Sequence, residues 1–176
     1  MFPSITAIKS KRMYRELKKR CTHLIPYLVF ENTKEALEYY GDTFGATDIV
    51  RIPLLEDQTI DFEVSIKEIS NKTISNKTIH SQFKVLGITI MAADSFAKDS
   101  SFLKNFPILL DIKLEKNESM AKIKEFWDGI IDSDGIIIKI PLERHSRKNF
   151  RGSFIDTYGI YWILNVEASH HTWKSE

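Results

Sequence analysis

Between Leu24 and Leu54 the hydrophobic positions change period twice. Leu24 to Phe30 is apolar almost throughout and holds Val, Tyr and Phe, which predicts a strand, and Pro26 within it predicts an edge position or a bulge near its start. Ala36, Leu37, Tyr40 and Phe44 then recur at helical spacing, while Lys34, Glu38 and Asp42 take the opposite side. Asn32 or Thr33 is placed to cap this helix, Glu35 lies in its first turn, and Gly45 ends it. A second strand spans Asp48 to Leu55, closed by Pro53.

A looser copy of the same order follows. His80 to Leu86 and Ile88 to Ala93 read as a hairpin turning at Gly87, and Ile108 to Leu114 opens the second half as a strand. Asn117 or Ser119 caps a helix whose apolar face is Met120, Ile123, Trp127 and Ile130. Ile136 to Ile140 before Pro141, Ser153 to Ile155, and Ile160 to Val166 complete the strands. Arg51-Ile52-Pro53-Leu54 returns as Lys139-Ile140-Pro141-Leu142 at an offset of 88 positions, and Gly87-Ile88 returns as Gly159-Ile160 at an offset of 72. The shorter offset places an insertion of about 16 residues in the first half, within Glu56 to Ile79, where Asn71–Ser75 and Asn76–His80 repeat in tandem.

The chain thus divides into a basic extension (1–21), one domain (22–166) made of modules 22–96 and 107–166, and a polar tail (167–176). Each module is strand, helix, strand, strand, strand. A helix covers one face of a four-stranded sheet and leaves the other needing a partner. The expected fold class is α+β: two βαβββ modules forming a curved half-barrel around a central cavity.

Composition narrows the chemistry. The apolar fraction of 43% suffices for a core. Residues 1–20 hold seven basic side chains against Glu16 alone, so the extension carries the positive charge of a chain whose net charge is only +1. Such an arm can serve as a contact for an acidic partner or as a solvated extension, and no aromatic-basic interleaving follows it to suggest nucleic acid. Cys21 is the only cysteine, which excludes an intrachain disulfide and a cysteine-based zinc site. No apolar run approaches the roughly 20 residues of a spanning helix, and no apolar segment of a secretory signal follows the basic start. A cytoplasmic protein without membrane or nucleic-acid partners is expected.

The wording of the two modules resembles the vicinal oxygen chelate superfamily, which includes glyoxalases, dioxygenases and bleomycin-resistance proteins, and within it the PhnB-like branch. The resemblance rests on Pro26–Asn32, Glu35–Tyr40 and Phe44-Gly45-Ala46, then Ile79-His80, then Phe154–Ile163. Metal-dependent members supply one ligand from the first and one from the last strand of each module. By resemblance these positions fall at Ile25, at Met91, at Pro107 or Ile108, and at Ile163, where neither oxygen nor imidazole is available. The resemblance therefore implies no metal cofactor of the usual kind, although His23 lies two residues before Ile25. Between Arg144 and Arg151 the chain carries a basic stretch where relatives have a Trp-Gly pair.

Strand alternation from those positions puts His23, Tyr27 and Val29, then Thr89, Met91 and Ala93, then Tyr161 and Asn165 on the cavity side. His80 with Gln82 is the polar pair of the third strand. His80 is the candidate catalytic base, needing a partner to set its tautomer, and otherwise a structural imidazole. Arg144, Arg147, Lys148 and Arg151 with His145 form a basic loop that could close over an anion, a carboxylate or phosphate, or stand as solvated charges; Arg147 stands for it in the ligand-binding set. The expected ligand-binding set is His23, Tyr27, His80, Gln82, Met91, Tyr161, Asn165 and Arg147. Three functions compete: a metal-free binder of a small organic molecule, a lyase, isomerase or dioxygenase-type enzyme of the same superfamily, and an interaction module using the basic arm. The exposed sheet edges of a half-barrel further imply a homodimer.

Overall fold

The structure is a computed structural model that describes residues 23–54, 77–96, 107–115 and 118–168. The basic extension, most of the tandem-repeat insertion and all but Ala168 of the stretch after Glu167 lie outside these residues. Module one consists of β1 (Tyr27–Phe30), α1 (Thr33–Phe44), β2 (Thr47–Pro53), β3 (Thr78–Val85) and β4 (Ile88–Asp94). Module two repeats the order with β5 (Pro107–Lys113), α2 (Met120–Ile131), β6 (Ile137–Arg144), β7 (Asn149–Ile155) and β8 (Tyr161–Glu167). The sheets run β1-β4-β3-β2 and β5-β8-β7-β6, with the first and last strand of each module parallel and the other pairs antiparallel. The α+β class and the two βαβββ modules are those the sequence predicts.

Local chemistry sets the boundaries. The Asn32 side chain accepts a hydrogen bond from the Glu35 amide at 3.4 Å, and Gly45 closes α1 in the left-handed conformation that a β-carbon disfavours. Ser119 caps α2 by accepting from the Ala121 amide at 3.1 Å. Pro26 delays β1 until Tyr27 and leaves it at a sheet edge. Strand β6 does not stop at Pro141 as its sequence suggests. It continues to Arg144 because it too is an edge strand, where the missing proline N–H removes no ladder bond, and its register shifts on either side of Ile140. The basic stretch 144–151 divides evenly: Arg144 ends β6, Asn149–Arg151 begins β7, and residues 145–148 form the turn between them.

The predicted helix faces are the buried ones: Ala36, Leu37, Tyr40 and Phe44 on α1, and Ile123, Trp127 and Ile130 on α2. All but Ile123 join one core with Leu28, Phe83 and Ile90 of the first sheet and Phe154, Trp162 and Leu164 of the second, while Ile123 packs with Leu114 and Val166 in a smaller cluster. Trp127 packs so closely on β7 that a β-carbon on Gly152 would lie 2.7 Å from its ring, which explains glycine there.

This shared core fixes how the modules face. The Tyr40 ring stacks on Phe83 of β3 at 5.2 Å and meets Trp162 of β8 at 6.1 Å, and Phe44 touches Trp162 and Phe154 at 5.0 and 5.9 Å. Were β1 and β5 neighbours in one eight-stranded sheet, β3 and β8 would stand four strands, about 19 Å, apart. One ring bridging both requires the helix-covered faces to confront each other across a common helical layer. Each module builds one curved wall, and the two walls of a chain stand back to back with their bare faces outward.

Asp156 ties the modules together. Its Oδ2 accepts from the Tyr40 hydroxyl at 2.7 Å and from the Trp162 indole at 2.8 Å, and its Oδ1 accepts from the Tyr158 and Ile160 amides, both at 2.9 Å. Burial pushes its carboxyl above the ordinary value of 3.8, opposed by the hydrogen bonds from Trp162, Tyr40 and the two amides. The folded state therefore holds the proton more tightly than the unfolded chain. The associated stabilisation is complete below 3.8 and is lost as pH rises through the raised value. In urea unfolding as a function of pH, the advantage of the wild type over Asp156→Asn, whose side chain does not titrate, should be largest at the acid end and shrink as pH rises. A gap that widens with pH would mean that the carboxylate form is favoured by folding.

Candidate functional site

The bare faces carry the residues singled out from the sequence. On the first wall, Tyr27, Met91, Gln82 and Val50 stand in register across β1, β4, β3 and β2, and His80 pairs with Ile52 in the next row. Val29 opposes Ala93, and Thr89 opposes Lys84, whose ammonium is bound by Asp48 at 2.7 Å. His23 is exposed just before β1, and the His80 imidazole makes no hydrogen bond with any described residue.

On the second wall, the register places Pro107, Tyr161, Ile155 and Ile137 in one row, and Leu109, Ile163, Ser153 and Ile140 in the next. Asp111, Asn165, Arg151 and Glu143 form a third, polar row. The Tyr161 hydroxyl donates to Ser153 Oγ at 3.0 Å, and the Asn165 amide donates to Asp111 Oδ1 at 2.5 Å. Of the two alternatives for the β5 metal position, Pro107 is exposed and Ile108 is buried toward the helices.

One chain therefore brings Tyr27, His80, Gln82 and Met91 together on one wall and Tyr161 and Asn165 together on the other. It does not bring the two groups together, because the walls point away from each other. Arg147 lies in the turn between β6 and β7. Of the polar row of the second wall, the sequence pointed to Asn165 on the cavity side and to Arg151 in the basic stretch, and missed Asp111 and Glu143. Which residues stand beside one another depends on strand order and register, which alternation does not contain. A separate cleft of about 460 Å³ lies between the β3–β4 turn and α2, lined by Leu86, Ile88, Leu110, Ile123 and Phe126 with Lys122 among its polar groups.

No family model matches the sequence, and no curated protein sequence matches it. Solved structures do. The protein PA1353 from Pseudomonas aeruginosa superposes with a TM-score of 0.56 at 21% identity, over 84% of this chain and 99% of its own. A PhnB protein from Bacillus cereus gives 0.53 at 19% identity over 82% and 99%. The fosfomycin resistance protein FosX from Listeria monocytogenes gives 0.53 at 13% identity over 88% and 100%. The chain has the vicinal oxygen chelate fold.

The resemblance read from the sequence implies a metal held between residues of the first and last strands of the modules. Here the corresponding open-face residues are Ile25, Met91, Pro107 and Ile163, three aliphatic groups and a thioether. Hard divalent cations require oxygen or imidazole donors, so this set does not fit one. The described residues contain no cluster of three or more His, Cys, Asp or Glu able to hold an ion. Melting curves with Mn²⁺, Zn²⁺ and Ni²⁺ should accordingly show no shift that depends on His23. A metal-specific stabilisation lost in His23→Ala would place an ion on the first wall.

Proposed function

We propose that this protein binds a small organic molecule, without a metal, in a pocket that two copies of the chain build together. The first wall of one copy faces the second wall of the other, and the twofold pairing repeats the arrangement. The reading rests on one observation: both bare faces turn large apolar side chains outward. Tyr27, Val50 and Ile52 are 50%, 53% and 44% exposed on the first, and Leu109, Ile137 and Ile140 are 55%, 54% and 40% exposed on the second. Covering the remaining surface of each is worth about 1 kcal/mol. Six such residues from each copy supply on the order of 10 kcal/mol, comparable with the roughly 4–15 kcal/mol that association costs.

The strand edges favour the same pairing. The outer edges, β2 and β6, contain Pro53 and Pro141, which block strand addition. The opposite edges have proline only before β1, at Pro26, and at the start of β5, at Pro107. No other described strand pairs with them, so β1 of one copy can lie beside β5 of the other. The resulting pocket is walled by Tyr27, Met91, His80 and Gln82 from one copy and Tyr161, Ile163 and Asn165 from its mate. Mostly apolar walls with a few fixed polar groups suit recognition of an amphipathic or aromatic molecule. His80 supplies a hydrogen bond to such a ligand, because no described residue sets its tautomer for the role of a general base.

Light scattering should give twice the 20.4 kDa chain mass at micromolar concentration. Tyr27→Glu and Ile140→Glu, one on each wall, should each yield a folded monomer with unchanged circular dichroism. A wild type that is monomeric at such concentrations overturns the reading.

A further inference from the structure

The basic stretch at the β6–β7 turn is sorted by strand alternation into two groups with different surroundings. Arg144 and Phe150 are register partners, and the Arg144 guanidinium carbon lies 5.9 Å from the Phe150 ring centroid. Phe150 in turn packs against the buried cluster of Leu114, Ile123 and Val166. That pair therefore belongs to the helix-covered side. Arg151, the next residue, belongs to the open face, on an inner strand flanked by Asn165 and Glu143.

The surroundings of Arg151 leave its charge unanswered. It is exposed, and its guanidinium forms no ion pair or hydrogen bond with any described residue, Glu143 across the strand pair included. Asp111, at the end of the same row, is already engaged by the Asn165 amide. On the first wall the comparable cation, Lys84, has Asp48 as its counter-ion. Beside Arg151 the adjacent row of the same face is apolar at Leu109, Ile163 and Ile140.

We propose that Arg151 is an anion-binding residue of the pocket and that the ligand is a small organic oxyanion with an apolar or aromatic body. This deepens the pocket reading above and rests on it. Closing a second copy over this face removes water from a guanidinium that has no partner among the described residues, which is costly unless a counter-charge enters with it. A carboxylate, sulfonate or phosphonate oxygen pair matches the fork of guanidinium donors. The ligand body then lies along Leu109, Ile163 and Ile140, with the remaining N–H of the Asn165 amide available at its polar end.

Two fluorescent probes of nearly the same shape test this on the full-length protein. 8-Anilinonaphthalene-1-sulfonate carries an anion, and N-phenyl-1-naphthylamine is the same body without it. The wild type should bind the sulfonate more tightly. Arg151→Gln should weaken the sulfonate about tenfold or more while leaving the neutral probe within twofold, and Arg151→Lys should recover part of the loss. Lys124→Gln, the same charge change on the exposed side of α2, should leave both probes unchanged. Binding of the neutral probe with no preference for the sulfonate, or an equal loss in Lys124→Gln, overturns the anion site while leaving the pocket standing. Failure of both probes to bind the wild type overturns the pocket and the anion site together.

Discussion

A buried carboxylate with four hydrogen-bond donors and no cation beside it sits where the two modules meet. Asp156 gathers the turn before β8 through two amides, the β8 indole of Trp162, and the hydroxyl of Tyr40 from the other module, 116 positions away in sequence. With every donor satisfied, the charge is tolerated at 3% exposure, and removing any donor would leave it short. Burial first, and then the same carboxylate, hold the Tyr40 hydroxyl well above its ordinary pKa, so it remains a donor. Tyr40 in turn carries the aromatic contacts that put both sheets on one helical layer. The direction in which each open wall faces follows from this tie.

Module one has a counterpart with a different task. Asp94, at the end of β4, accepts from the Thr33 amide at the start of α1 and from the Thr78 amide at the start of β3. It is a staple within the module, whereas Asp156 is a staple between modules. The two halves thus share their topology but have diverged in how they use a buried carboxylate. That asymmetry is consistent with the difference between the open faces, where the first wall neutralises Lys84 with Asp48 and the second holds Arg151 with no partner among the described residues.

The parts legible in sequence were those set by local rules. The Asn32 cap, the Gly45 stop, the α1 and α2 faces and the module repeat depend on neighbours a few positions away, and they stand as read. The course of β6 through Pro141 was not legible, because an edge position makes proline harmless and the edge is a property of the sheet. The polar row Asp111, Asn165, Arg151 and Glu143 was not legible either, because its members come from four strands and only register unites them. Least legible was the mutual orientation of the modules. Alternation assigns residues to a bare face but not the direction that face looks, and the contact that decides it joins Tyr40 to residues of the other half.

The central claim is that the two open walls of one chain face away from each other. It is tested most directly by the dipolar distance between spin labels at Gln82 and the exposed Leu109, one on each wall, in a variant without Cys21. The doubly labelled chain would be diluted into excess unlabelled protein so that only intrachain pairs are read. With sheet, helix and sheet layers about 10 Å apart, the walls lie roughly 20 Å from each other and outward-pointing labels stand farther still. A distance distribution centred above that value is the expected result. A distribution centred near 10–15 Å, the span of labels facing each other across a pocket, would contradict it.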